Sequence, residues 1–112
     1  MKERNRKVVV VGLDGATFDV IGRWAEEGKL PNLDRIMKNG VTGRLSSVIP
    51  PVTPTAWASF MTGKNPGKHG VIDFDIRQKG SYHRIVPNAS SIDGETLWSI
   101  LSKAGLRVGV VH

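Results

Sequence analysis

Residues 7–13, Lys7-Val8-Val9-Val10-Val11-Gly12-Leu13 (KVVVVGL), decide the fold class. Four β-branched side chains in a row leave no polar residue to face water at every second position. The run therefore reads as a central strand of a parallel sheet, covered on both faces. Basic residues bound it on one side and Asp14-Gly15 on the other. Beyond that turn, Thr17 offers a helix cap and Asp19 sits in the first turn. Phe18, Ile21, Trp24 and Ala25 recur at helical spacing until Gly28. Pro31 is placed as a first helical residue, with Leu33, Ile36 and Met37 on one face and Asn39-Gly40 as the stop.

Val41 to Ile49 reads as a second strand, closed by Pro50-Pro51. Thr53 to Thr62 is the third helix, with Trp57, Phe60 and Met61 on its apolar side, and Gly63 to Gly70 is loop. Val71 to Val86 suggests two short extended pieces around Lys79-Gly80. A fourth helix opens at Asp93-Gly94-Glu95, carries the stripe Leu97, Ile100, Leu101 and Ala104, and ends at Gly105. Leu106 to Val111 (LRVGVV) is again a buried-type strand. Strands alternating with helices predict right-handed crossovers and a mostly parallel sheet between helical layers, an α/β three-layer sandwich. Three strands, one of them terminal, would leave apolar faces and an edge uncovered. Residues 1–112 are therefore expected to form a single N-terminal piece of a longer catalytic domain, with 1–6 as a basic leader.

The composition, 39% apolar and 23% charged, is that of a soluble globular chain. No cysteine is present, which excludes disulfides and thiolate chemistry. The net charge of +6 owes much to the opening MKERNRK, where four basic residues face one acid. No stretch interleaves bases with aromatics, so the excess suits anionic phosphate substrates, and no nucleic-acid partner is expected. Asp14 interrupts the only long apolar run, so neither a signal peptide nor a membrane span is expected, and the expected location is cytoplasmic.

Two residues stand out for chemistry. Asp14 follows the first strand at its carboxyl end, where open α/β sheets place their ligands. A carboxylate there either binds a divalent metal or orients a substrate, or else caps the next helix. Thr53, as cap ahead of Pro54, would hold its hydroxyl at the positive end of a helix, where an alkoxide and a phosphate oxygen are both favoured. Its alternative is a plain capping role, and Thr55 is a rival nucleophile. The sequence GKNPGKH (63–69) lacks the spacing and the Ser or Thr of a phosphate loop, and His69 reads as structural. Lys64 and Lys68 are phosphate contacts or solvated side chains. Asp73, Asp75 and His83 make no ligand spacing, and the three tryptophans read as core.

Taken together, VVVVGLDGATFD, LPNLDRIMKNG and PPVTPTAWASFMTGKNPGKHGV resemble the amino-terminal part of the type I phosphodiesterase/nucleotide pyrophosphatase branch of the alkaline phosphatase superfamily. The resemblance covers nearly all of residues 7–111 and implies an alkaline-phosphatase-like fold. It places the nucleophile nine positions before the threonine of the Thr62-Gly63 pair, on Thr53, and the first-strand metal ligand on Asp14. It implies two divalent metal ions, usually zinc, with Thr53 also touching metal, and a phosphothreonine intermediate. The substrate class implied is a small phosphate ester. Ala56 and Trp57 stand where many nucleotide pyrophosphatases carry an Asn. The family's other Asp and His ligands belong to later parts of its chain, so the partner implied is the remainder of the catalytic domain and the 112 residues alone are expected to be inactive. The contrasting expectations are a non-catalytic phosphate-binding domain and a phosphotransferase using the same residues.

Overall fold

The computed structural model describes residues 7–78 and 80–111. The expected leader 1–6 lies outside the described residues, as do Lys79 and His112. The chain divides into two compact units, Met1–Arg44 and Leu45–His112.

In the first unit, α1 (Phe18–Glu26) starts behind Thr17 with Asp19 in its first turn. It ends as Gly28 takes a positive φ of 72°. α2 (Pro31–Asn39) begins on its proline, whose missing N–H would have no intrahelical partner there, and stops at Gly40. The two helices pack on each other, and Ala25 is the buried residue among those described in the unit. Their outer faces carry exposed ion pairs, Arg23 and Lys29 with Glu27 and Lys38 with Asp34.

The second unit contains α3 (Thr53–Thr62), α4 (Pro66–His69), β1 (Ile76–Arg77), β2 (Arg84–Ile85), a 3-10 turn (Ala89–Ser91) and α5 (Leu97–Lys103). Helices α4 and α5 both pack on α3, and the buried residues are Thr55, Ala58, His69 and Val71. β1 and β2 pair antiparallel, Ile76 opposite Ile85 and Arg77 opposite Arg84. Arg84 pairs with Asp75, and the Arg77 guanidinium lies 5.0 Å from the centre of the Tyr82 ring.

Among the described residues the only sheet is this two-stranded ribbon. The three runs expected as strands of a parallel sheet, 7–13, 41–49 and 106–111, are not strands here. A strand exists only through ladder bonds to a neighbour, and none of these runs has one among the described residues. Their side chains stand open instead, with Val8 and Val9 both 84% exposed and Val111 fully so. The helical half of the expected α/β alternation is thus formed, while among the described residues no parallel sheet of a three-layer sandwich is seen. No helix of the described residues is long and apolar enough to cross a membrane.

Candidate active site

Helix α3, which carries Thr53 and Thr55, is set by its main chain. Val52 is extended at φ −113° and ψ 149° and is the cap, and its carbonyl accepts the Ala56 N–H at 2.9 Å. Thr53 is therefore the first helical residue and Pro54 the second, one step inward from the expected positions. Thr53 is half-buried and Thr55 is fully buried. The Thr55 hydroxyl has no hydrogen-bond partner among the described residues. Burying a hydroxyl in that way costs about 1–3 kcal/mol. Sealed from solvent, it is out of reach of an ester that arrives from outside, whereas Thr53 is only half-buried.

The far end of α3 is closed by several bonds. Thr62 Oγ1 donates to the Ala58 carbonyl at 2.7 Å and accepts the Lys64 N–H at 3.2 Å. Gly63 takes φ 64°, a left-handed value that suits glycine, and its N–H returns to the Ser59 carbonyl at 2.8 Å. On one side of α3, Trp57 meets Phe60 edge to face at 5.9 Å. Trp57, Met61 and Trp98 line an apolar cleft of about 360 Å³ beside Pro54. Trp24, by contrast, is 45% exposed, so the expectation of a core role fails there.

Where a loop was expected, Asn65 opens α4: its Oδ1 accepts the Lys68 N–H at 3.1 Å. An Asn followed by Pro is a usable start signal for a helix, and the sequence carried it. His69 ends this helix fully buried. Its Nδ1 accepts the Val71 N–H at 3.2 Å and its Nε2 lies 2.8 Å from Ser59 Oγ. Burial holds the ring below the ordinary histidine pKa. The structural role expected of His69 thus has defined partners. Lys64 Nζ donates to the Asp93 carbonyl at 3.2 Å, and its stem lies over Gly94. Gly94 sits at φ 137°, where an added Cβ would come within 2.6 Å of Lys64 Nζ.

Asp14 belongs to the first unit. It stands in the turn after residues 7–13, exposed, beside Gly15 at φ 66°. Thr53 belongs to the second unit. Among the described residues no three His, Cys, Asp or Glu side chains gather as a metal site. Structural zinc takes about four ligands and catalytic zinc about three with water, so the described residues do not complete a zinc site.

The local chemistry is that of a hydroxyl at a helix start, a feature many proteins share. What separates the possibilities is that residues 8–112 match the family model for type I phosphodiesterase / nucleotide pyrophosphatase. The chain belongs to this family. The match takes in both units and includes Asp14, Thr53 and the Thr62-Gly63 pair. Comparisons with curated proteins and with solved structures return no match. Membership implies an alkaline-phosphatase-like fold and phosphoester hydrolysis by full-length members, which are generally metal-dependent and act on phosphate esters.

Proposed function

We propose that this chain carries the nucleophile of a metal-dependent phosphoric ester hydrolase, a phosphodiesterase, nucleotide pyrophosphatase or phosphatase. Thr53 is the nucleophile, and Asp14 and the Thr53 oxygen are metal ligands. The observation that carries this reading is the family match across 8–112, combined with a helix that begins on Thr53.

The first amides of a helix have no partner inside it and lie at its positive end. In α3 the Val52 N–H is given to the Pro50 carbonyl at 2.9 Å and Pro54 has no N–H, so it is the positive end of the helix as a whole that would favour the non-bridging oxygens of the substrate's phosphoryl group. Thr53 Oγ would then bond to phosphorus as the bond to the leaving oxygen breaks, and the leaving group would depart with the proton. Water would next attack the phosphothreonine and restore the hydroxyl. Divalent ions, zinc by the family's habit, would supply Lewis acidity to a hydroxyl otherwise too weakly acidic to attack. The remaining ligands would come from the rest of the catalytic domain, and residues 1–112 alone would not turn over. A cytoplasmic location belongs to the same reading.

The test is hydrolysis of bis-p-nitrophenyl phosphate by the full-length protein and by Thr53→Ala. Loss of an essential nucleophile lowers kcat by at least about a thousandfold. A variant that keeps wild-type turnover places the nucleophile elsewhere.

A further inference from the structure

His69 joins four parts of the second unit. Its N–H donates to the Asn65 carbonyl at 3.1 Å inside α4, and its carbonyl accepts the Asp93 N–H at 3.0 Å. The ring adds Val71 on one nitrogen and Ser59 on the other. The two ring contacts together settle the tautomer. A nitrogen that accepts an amide N–H carries no proton, so Nδ1 is bare in the neutral ring. The proton is on Nε2, which donates to Ser59 Oγ. A ring in that state is no general base for Ser59, which removes a serine–histidine nucleophile pair from consideration.

The same state makes a good pin. Ser59 lies six residues along α3 from Thr53, about 9 Å of helix rise. We infer that His69 is a positioning residue for α3, holding the helix through Ser59 so that Thr53 keeps its place at the helix start. The inference rests on the proposed function only for what α3 carries. The pin itself is a matter of ring tautomer and bonds. The charged groups on the elements around the ring are few. α3 has no ionisable side chain, Lys64 and Lys68 flank the ring on its own loop and helix, Asp73 follows Val71, and Asp93 and Glu95 lie on the loop before α5. Among the described residues none of these side chains is bonded to the ring.

Two measurements test it. The first is a ring-nitrogen NMR titration of the protein labelled in its histidines, with His69 assigned by loss of its signals in His69→Asn. The expected result is an Nε2–H ring that stays neutral at a pH where the histidine of an unfolded chain has taken its proton. An Nδ1–H ring, or one that titrates as in an unfolded chain, overturns the pin.

The second measurement uses the full-length protein and bis-p-nitrophenyl phosphate. Ser59→Ala keeps a good helix former and removes only the hydroxyl, whereas Ser59→Thr retains it. The expected result is a fall in kcat on the order of tenfold with KM unchanged for Ser59→Ala, and recovery in Ser59→Thr. Equal kcat in all three forms overturns the positioning role while Thr53→Ala remains inactive. A wild-type protein without turnover overturns the proposed function and the positioning role together, and leaves the NMR result to judge the tautomer alone.

Discussion

Nδ1 of His69 can accept the Val71 N–H only while it lacks a proton. A second proton would set two donors facing each other and bury a charge, and burial already depresses the pKa of this ring. In the unfolded chain the ring titrates at its ordinary value, near 6.5. As pH falls through that value the unfolded chain takes up the proton first, so stability is full above it and declines as pH descends toward the folded-state value. We expect the urea midpoint to fall between pH 7.5 and pH 5.5, and the fall to be smaller in His69→Gln. A midpoint equally flat in both would show the ring to be outside this linkage. Asp75 and Glu27 work in the same direction but in another window. Arg84 lowers the carboxyl of Asp75, and Lys29 with Arg23 lowers that of Glu27, so their contributions fade only in the acid range below about pH 4. Nothing in the sequence around His69 announced Ser59 as its partner. Ten residues separate them, and only the fold of the Gly63–Gly70 segment brings them together.

At the scale of the elements, the helices were legible because their signals are local. Pro31 and Gly40 bracket α2, and Thr17 and Gly28 bracket α1. Where signals competed, the nearest cap won. α5 starts behind Thr96, whose Oγ1 accepts the Ser99 N–H at 3.3 Å, and not at Asp93 as expected. The Asp93 N–H is instead committed to His69. Thr96→Ala is therefore expected to destabilise the second unit by about 1 kcal/mol, measured by denaturant unfolding, and Asp93→Ala by less. The reverse order would return the start of α5 to Asp93. The 3-10 turn at Ala89–Ser91 went unread because its capping box, Asn88 with Ser91, closes within three residues and leaves no periodicity to detect. Strands behave differently. Their hydrogen bonds lie between segments far apart in sequence, so the valine run signals a buried strand without naming its neighbour.

For the whole molecule, that difference separates what is formed from what is not. The helices around α3 and the α1–α2 pair are in place, while β-branched side chains from Val8 to Val11 and Val110 to Val111 stand open to solvent. Apolar surface of this kind binds environment-sensitive dyes and promotes association. We expect the 112-residue chain to bind such a dye strongly and to sediment in a concentration-dependent way, and Val8→Thr with Val10→Thr to reduce both. A dye-silent monomer would favour the non-catalytic binding domain that the sequence also allowed. Of the candidate site, the choice of Thr53 over Thr55 comes from the family pattern, which counts back from Thr62-Gly63, and it stands as a proposal. The role proposed for Asp14 comes only through the family pattern, because one exposed carboxylate in a glycine turn has many uses.

The pairing of Lys64 with Gly94 bears on how this part of the chain can diverge. The lysine stem occupies the volume that any side chain at 94 would need, and the left-handed backbone there disfavours one as well. A side chain at 94 would therefore displace the flexible end of Lys64 from the Asp93 carbonyl. A lineage that gains bulk there must bear the strain of the positive φ and find another donor for that carbonyl.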